Sequence, residues 1–327
     1  MGGPRQWLNS VQTTVDLFAS RSTVADIAIF HHFMPPPYGG GNQFLLALSG
    51  DLRRRGWVLE NNRVSAHTRA CLYNSFNFDF GRLRRFARRG ARMVHRVDGP
   101  IGVYRGVDDG TDRRIWQINH DVAHATVFQS HYSLRRHQEL GLTFVEPTVI
   151  HNAADPAVFN AEARVPFSRS RRTRLIAASW SDNPNKGAEI YAWLEKHLDW
   201  TRFEFTFVGR SPIRFERIRS VPPVPSAELA ALLREHDAFI TASRHEPCSN
   251  SLVEALSCGL PAIYLNSGSH GELVGEGGFG FTDRAEIPAL LDRLVDEYEA
   301  RQRAIAAPKL SAVADRYLEV LGVGLHG

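Results

Sequence analysis

The feature that most constrains the fold of this chain is a regular alternation of short apolar segments with longer amphipathic ones. The apolar segments, such as ADIAIFHHF at 25–33 and FEFTFVG at 203–209, are continuous runs that are typical of strands buried on both faces. The segments between them, such as NQFLLALSGDLRRRG at 42–56, carry apolar residues at helical spacing and end at glycine. The pattern therefore predicts parallel sheets with helices on both faces.

The alternation occurs twice, on either side of a polar, proline-bearing segment at 154–172 that is typical of a linker between domains. A length of 327 residues also favours two domains. We therefore expect two doubly wound domains, preceded by an amphipathic helix and followed by a helix that packs back on the first domain. The predicted division is 1–24, 25–155, 156–305 and 306–327.

The composition argues against several classes of protein. Hydrophobic residues make up 43% and charged residues 23%, as in soluble globular proteins. No apolar run is long enough to span a bilayer, and the first residues lack a secretory pattern, so we expect a cytoplasmic protein. Cys71, Cys248 and Cys258 form no CxxC pair, which argues against a disulfide framework and against structural zinc. The net charge of +4, carried almost entirely by arginine, is weak evidence for a nucleic-acid partner.

The loops that follow the predicted strands are the expected location of a binding site. In open α/β sheets, ligands bind beyond the carboxyl ends of the strands. This rule selects five segments, at 31–42, 98–105, 180–187, 209–214 and 243–251. If the two domains face each other, these loops meet across a cleft.

The segment SRHEPCSNSLVEALSCGLP, at 243–261, places two glutamates around a predicted helix start. The first helical residues, near 249–251, present free N–H groups and a partial positive charge that suit a phosphate or diphosphate. Glu246 lies where a carboxylate can accept hydrogen bonds from sugar hydroxyls, and Glu254 lies where it can hold two vicinal hydroxyls such as those of a ribose. Taken alone, Ser251-x-x-Glu254 also matches a capping box, and Glu246 a solvated loop acid.

This segment resembles the E-x7-E region of the family 4 (group 1) retaining glycosyltransferases, which use nucleotide sugars. The motifs follow in the family's order: Glu246-Pro247, Glu254-Ala255, Gly259-Leu260-Pro261, and a turn from Gly268 to Glu272. The segments at 35–57, 149–159 and 185–187 are similar to the family's glycine-rich first turn and helix, its interdomain stretch and its phosphate-binding lysine. The resemblance implies an α/β, GT-B-like fold with two doubly wound Rossmann-like domains that face each other across a cleft.

The resemblance also implies a function: transfer of a hexose-type sugar from a nucleoside diphosphate sugar to an acceptor hydroxyl, with retention of configuration. Residues 25–155 then form the acceptor side and 156–305 bind the nucleotide sugar, which is a co-substrate, with no further cofactor and no metal. The implied catalytic residues are Glu246, Lys186 and Asp98. The implied donor-binding residues are Gly40, Gly41, Asn42, Lys186, Arg210, Glu246, Ser249, Asn250, Ser251 and Glu254.

Local chemistry agrees with several of these roles. Lys186 places a cation where negative charge builds on the leaving nucleotide. Gly40 and Gly41 let the backbone approach a phosphate closely, with a simple flexible turn as the alternative, and Asn42 is expected to cap the following helix. His31 and His32 end a strand in opposite directions, so at most one of them faces a ligand.

The chain departs from the family's pattern in two places. An arginine that usually precedes the lysine is missing from SWSDNPNKG, and Arg210 or Arg244 is the candidate to replace it. Asp98 stands where a histidine is common, either to orient a sugar hydroxyl or take its proton, or simply as part of an Asp-Gly turn. Acceptor recognition is expected from the loops near 65–80 and 100–114.

Six arginines lie in 81–92, on and just after a predicted helix. A solvated face is one interpretation, and peripheral attachment to the anionic inner face of a membrane is the other.

Two further functional hypotheses keep the same fold: a nucleotide-sugar epimerase or hydrolase, and a catalytically weakened sugar- or nucleotide-binding partner subunit.

Overall fold

The computed structural model describes residues 25–35, 40–76 and 78–324. The chain divides into two compact units, with Asn152–Lys309 forming the second and the chain before and after it forming the first. The sequence placed these boundaries four residues away, after 155 and after 305. The predicted N-terminal helix at 1–24 lies outside the described residues.

Unit 1 is built on a six-stranded parallel sheet. Its strands are β1 (Ile27–Phe30), β2 (Leu59–Asn61), β3 (Ala70–Asn74), β4 (Arg92–Val97), β5 (Ala125–Phe128) and β6 (Pro147–Val149). Their spatial order is β2-β1-β3-β4-β5-β6. Every residue of β1, β3 and β5 is buried, which explains their continuous apolar sequences. The order reverses between β1 and β3, so these two strands flank the switch point of the sheet.

Helices cover the sheet of unit 1. They are α1 (Gly40–Arg54), α2 (Phe80–Ala87), α3 (Ile101–Arg105), α4 (Thr111–Val122) and α5 (His131–Glu139). The apolar face of α1 buries Phe44, Leu45, Leu48 and Leu52. A carboxylate from α4 caps α3, since Asp112 accepts hydrogen bonds from the backbone N–H groups of Ile101 and Gly102 at 2.7 and 2.8 Å.

Unit 2 has a second six-stranded parallel sheet. Its strands are β7 (Thr173–Ser179), β8 (Phe203–Gly209), β9 (Arg219–Val221), β10 (Ala238–Thr241), β11 (Ala262–Leu265) and β12 (Gly278–Phe281), in the order β12-β11-β10-β7-β8-β9. Its helices are α6 (Ala188–His197), α7 (Ser226–Glu235), α8 (Asn250–Ser257), α9 (His270–Val274), α10 (Ile287–Asp296) and α11 (Tyr298–Arg303). The switch point lies between β7 and β10, as in a dinucleotide-binding fold.

The last helix, α12 (Leu310–Leu321), belongs to unit 1 and packs against α1. Tyr317 and Phe44 bring their ring centroids to 5.8 Å, and Arg55 donates hydrogen bonds to Asp315 and to the carbonyl of Ser311. The chain therefore returns to the first unit after completing the second. No helix within the described residues is long and apolar enough to cross a membrane.

The basic segment 81–92 lies on and just after a helix, as expected: α2 ends at Ala87, and Arg92 begins β4. Two other details of the sequence interpretation are wrong. The segment 65–80 is not only a loop, because it contains the central strand β3. Asn42 does not cap α1; it lies within the helix, and its side-chain amide bonds the backbone of Met34 at 2.9 and 2.8 Å.

Candidate functional site

The loop after β7 is a tight turn that holds a lysine in place. Asn183 caps a single 3-10 turn, Pro184–Lys186, by accepting a hydrogen bond from the N–H of Asn185 at 2.8 Å. Gly187 then adopts a φ of +73°, and a Cβ at this position would lie 2.3 Å from the carbonyl oxygen of Ala242. Only glycine permits this contact, so the loop after β7 packs directly on the end of β10.

The loop after β10 carries a glutamate to the same place. His245 takes a left-handed φ of +58°, and its N–H donates to Ser267 at 3.1 Å. The Glu246 carbonyl accepts a hydrogen bond from the N–H of Ser269 at 3.0 Å. A Cβ on Gly268 would meet the Glu246 backbone at 2.5 Å, so the glycine of this turn allows the close approach. The turn therefore fixes the backbone of Glu246 before any ligand arrives.

Lys186 and Glu246 form an ion pair across the switch point of unit 2. The Lys186 ammonium donates to Oε1 of Glu246. Their side chains keep 24% and 11% of their surface exposed. A pair that is partly open to solvent can exchange partners with a charged ligand at a smaller desolvation cost than a sealed one. Two residues that the sequence assigned to one site are thus in direct contact.

Helix α8 begins beside this pair with an N-terminus that lacks a side-chain cap. Ser249 is the N-cap residue, and within the described chain it makes no side-chain hydrogen bond to the first turn. The Asn250 side chain is held by Asn152, whose amide donates to it at 2.9 Å. Ser249 and Ser251 bring their hydroxyl oxygens to 3.4 Å. The first N–H groups of α8 are therefore available to an anion.

Glu254 lies one turn into α8 and is half-buried. No hydrogen bond or ion pair to this side chain is found within the described residues, and burial raises its pKa to about 8. The alternative interpretation of a capping box with Ser251 is wrong, because the helix is capped at Ser249 and Ser251 already lies inside it. A half-buried acid with a raised pKa and no partner among the described residues is a candidate for ligand contact.

Two buried side chains near the pair were not singled out from the sequence. The Tyr191 hydroxyl accepts a hydrogen bond from the Ala242 N–H at 3.0 Å, and burial raises its pKa to about 12. His270 brings Nε2 to 3.3 Å from the Ser243 hydroxyl, and burial lowers its pKa, so the ring is neutral. Tyr191 occupies the apolar face of α6 and resembles an ordinary core residue in sequence. His270 lies inside the 268–272 turn, which was already identified as a motif, so its signal in the sequence was clearer than that of Tyr191.

The two arginines considered for the missing loop arginine have different surroundings. Arg244 pairs with Glu189 at 2.7 Å, so a carboxylate already neutralises its charge. Arg210 follows β8 and places its guanidinium 5.0 Å from the centre of the Trp180 ring. No carboxylate pairs with Arg210 among the described residues. Its uncompensated charge makes Arg210 the better placed of the two to meet an anion.

The switch point of unit 1 carries a different polar group of residues. His31, just after β1, is buried, and burial lowers its pKa to about 4, whereas His32 is exposed. His31 Nδ1 lies 3.5 Å from the side-chain nitrogen of Asn74 at the end of β3. Both histidines follow β1, which ends at Phe30; His31 is buried and neutral at pH 7, so of the two only His32 is open to solvent.

Asp98, directly after β4, belongs to this second group. Its Oδ1 accepts hydrogen bonds from Nη1 of Arg96 at 3.1 Å and from the Gln129 amide. A Cβ on Gly41 would lie 4.0 Å from the same oxygen. Gly40, Gly41, Asn42 and Asp98 therefore lie in unit 1, whereas the other predicted site residues lie in unit 2. The predicted cleft that would unite the two sets stays a prediction.

No group of three or more histidine, cysteine, aspartate or glutamate side chains that suits a metal ion is found among the described residues. Metal independence stays a prediction.

Comparison with protein families shows one match. Residues 182–297, within unit 2, match the family Glycosyl transferases group 1. No curated protein matches the sequence at a significant level.

Solved structures share the fold of nearly the whole chain. Anabaena HepE in complex with UDP and glucose is 14% identical, with a TM-score of 0.67 over 91% of this chain and 99% of its own. Sucrose-phosphate synthase from Thermosynechococcus elongatus is 13% identical, with a TM-score of 0.66 over 90% and 98%. The catalytic domain of starch synthase IV from Arabidopsis thaliana, bound to ADP and acarbose, is 12% identical, with a TM-score of 0.64 over 91% and 99%. The shared architecture is the GT-B fold.

Proposed function

We propose that the protein transfers a sugar from a nucleoside diphosphate sugar to an acceptor hydroxyl with retention of configuration. The premise is that residues 182–297 match the family Glycosyl transferases group 1 and that the chain has the GT-B fold. The observation that carries the proposal is the Lys186–Glu246 ion pair at the switch point of unit 2. It joins a cation for a phosphate to a carboxylate for sugar hydroxyls.

The donor diphosphate is proposed to bind between Lys186 and the N-terminus of α8. The N–H groups that follow Ser249 lack a side-chain cap, and a helix N-terminus favours an anion. Arg210 adds a second cation in place of the arginine missing from the 180–187 loop. HepE, which shares this fold, was crystallised with UDP and glucose, and starch synthase IV with ADP, which supports a nucleoside diphosphate as the leaving group.

The two glutamates are proposed to recognise different hydroxyl groups of the donor. Glu246 accepts hydrogen bonds from the transferred sugar once Lys186 turns toward the phosphate. Glu254 is half-buried and has no partner within the described chain, and two vicinal ribose hydroxyls supply the donors that it lacks. A hydroxyl pair that binds the ionised form lowers the pKa of Glu254 again.

The proposed reaction needs no protein nucleophile. The acceptor oxygen bonds to the anomeric carbon while the bond from that carbon to the phosphate oxygen breaks, and the acceptor proton passes to this phosphate oxygen. Both events occur on one face of the sugar, so configuration is retained. Lys186 and Arg210 stabilise the negative charge on the leaving diphosphate, which is the proposed basis for metal independence. Asp98 is proposed to orient the acceptor hydroxyl.

The test is sugar transfer from UDP-, GDP-, ADP- and TDP-glucose to methyl and nitrophenyl glycosides, with product anomers assigned by NMR. We expect one base to support turnover, a product with the donor's configuration, and rates unaffected by EDTA. An inverted product would contradict retention, and loss of activity in EDTA would contradict metal independence. Conversion of the donor without any acceptor would instead favour an epimerase or hydrolase.

Peripheral attachment to an anionic membrane is a second part of the proposal. Arg85 and Arg88 of the 81–92 segment are exposed, and their side chains make no ion pair or hydrogen bond within the described chain, whereas Arg84 pairs with Asp121 at 2.7 Å. We expect the protein to sediment with phosphatidylglycerol vesicles at low salt, and Arg85→Glu/Arg88→Glu to abolish this. Equal sedimentation with neutral vesicles would contradict attachment to an anionic membrane. A cytoplasmic location of the protein is part of the same proposal.

A further inference from the structure

Unit 1 contains an arginine that is completely removed from water. Arg96, in β4, has 0% of its surface exposed, and its Cζ lies 5.0 Å from the centre of the Phe44 ring. A buried guanidinium is costly unless hydrogen bonds and an opposite charge compensate it. Nη1 of Arg96 donates to Asn74 at 2.5 Å and to Oδ1 of Asp98 at 3.1 Å. The guanidinium of Arg96 is thus hydrogen-bonded to Asn74 and paired with Asp98 beside the switch point of unit 1.

The hydrogen bonds on Asp98 are unequal. Oδ1 accepts from both Arg96 and Gln129. Oδ2 accepts no hydrogen bond from the described residues, and the side chain keeps 26% of its surface exposed. The backbone is fixed as well, since the Asp98 N–H donates to the Ser75 hydroxyl at 2.7 Å and its carbonyl accepts from the Ser133 hydroxyl at 3.0 Å. Oδ1 of the carboxylate is thus held by two hydrogen bonds, and Oδ2 by none from the described residues.

We infer that Arg96 and Gln129 are positioning residues that hold Oδ1 of Asp98 so that Oδ2 receives the acceptor hydroxyl. The inference rests on the proposed function and assigns two residues that the sequence did not single out. A carboxylate with one clamped oxygen presents the other in a single orientation, which lowers the entropy lost when the hydroxyl binds. Asp98 only accepts a hydrogen bond here, and the acceptor proton still passes to the leaving phosphate oxygen.

The surroundings agree with this role. Gln129 is 2% exposed, so its amide is fixed by packing and not by solvent. His31 and His137, the other titratable groups that interact with Asp98, have pKa values lowered by burial and are neutral at pH 7. Arg96, whose Nη1 lies 3.1 Å from Oδ1, is therefore the charged partner of Asp98.

The test uses two Gln129 variants of the full chain in the sugar-transfer assay with nitrophenyl glycosides. Gln129→Leu removes one of the two donors to Oδ1, and we expect kcat/KM for the acceptor to fall about tenfold while the Kd for the nucleotide changes less than twofold. Gln129→Glu restores the donor only when the introduced carboxyl group is protonated. Its activity is therefore expected to approach that of the wild type at low pH and to fall as the pH rises, a step that the wild type lacks.

Asn119→Ala is the matched control, because it removes another buried amide of the same unit that bonds Thr126 at 2.8 Å and not Asp98. We expect it to lower the unfolding temperature without changing the acceptor kcat/KM at a temperature where the protein is folded. The inference is overturned if Gln129→Leu and Gln129→Glu behave like this control, with the wild type active. A wild type that transfers sugar to no acceptor would overturn the proposed function first.

Discussion

The two switch points of this molecule carry the same pair of charges in opposite arrangements. In unit 1 the cation, Arg96, is sealed in the interior and its carboxylate partner, Asp98, is 26% exposed. In unit 2 both members are partly open, with Lys186 at 24% and Glu246 at 11%. A cation that is buried from water can only orient its carboxylate partner. A cation that is partly exposed can exchange that partner for a charged ligand. The difference is the reason for proposing that one site receives a hydroxyl and the other a diphosphate.

Removing the carboxylate of the sealed pair should have the largest effect on stability. Asp98→Ala leaves the guanidinium of Arg96 without this compensation inside the protein, and we expect the free energy of unfolding to fall by about 3–5 kcal/mol. Lys186→Ala in the open pair should cost about 1 kcal/mol or less. Urea denaturation of both variants checks this contrast. Equal losses would show that the two pairs are not energetically different.

Removing the open cation should instead have the larger effect on ligand binding. We expect Lys186→Ala to weaken nucleoside diphosphate binding by about 2 kcal/mol, or roughly 30-fold, because a charged contact to the phosphate is lost. Lys196→Ala, which removes a lysine from the far end of α6, is the control. Titration calorimetry measures both, and an unchanged Kd in Lys186→Ala would rule out the assigned phosphate contact.

Glu254 should connect ligand binding to protons. Burial raises its pKa to about 8, against an ordinary value of 4.5, so the folded protein holds a proton that the unfolded chain releases between these values. Its contribution to stability is present below about pH 4.5 and is lost as the pH rises toward 8. Ribose hydroxyls favour the ionised form, so nucleotide affinity should rise over the same window.

Calorimetry in two buffers of different ionisation enthalpy checks the proton count. We expect up to about one proton to be released per nucleoside diphosphate bound at pH 7, and none for Glu254→Gln. Glu228→Gln, which changes an exposed carboxylate of α7, is the control and should release protons like the wild type. Binding without proton release by the wild type would remove Glu254 from the ribose site.

Arg210 should have the smallest of these effects. We expect Arg210→Ala to weaken diphosphate binding about tenfold and nucleoside monophosphate binding less, because the guanidinium is partly solvated. Arg214→Ala is a close control, since this exposed arginine lies four positions further along the chain and makes no interaction within the described residues. Equal affinities in the two variants would assign Arg210 to the surface.

The sequence predicted the architecture where strands are buried on both faces and missed it elsewhere. Strands such as β7, β8 and β10 are continuous apolar runs and were found directly. The edge strand β9 has three residues with little burial, and β12 reads GFGF, so neither has a clear strand pattern. β3 is the exception, because all five of its residues, ACLYN, are buried and it was still missed; Asn74 at its end was therefore left out of the unit 1 site.

The candidate site was also predicted only in part from the sequence. The switch-point rule and the family motifs assigned Lys186 and Glu246 to one site from the sequence alone. The roles of Arg96 and Gln129 depend on neighbours 22 to 31 positions away, across three strands, and no spacing in the sequence reports such a contact. A buried arginine looks like any other among the many arginines of this chain until its exposure is known.

The most direct test of the central claim is thermal unfolding of the wild type and Lys186→Ala with UDP, GDP, ADP or TDP. Ligand at about 100 times its Kd should stabilise the folded protein by roughly 2.7 kcal/mol. We expect one nucleoside diphosphate to raise the unfolding temperature of the wild type. We expect Lys186→Ala to lose most of this shift at the same nucleotide concentration. A wild type that responds to none of the four, or a variant that responds equally, would contradict the central claim.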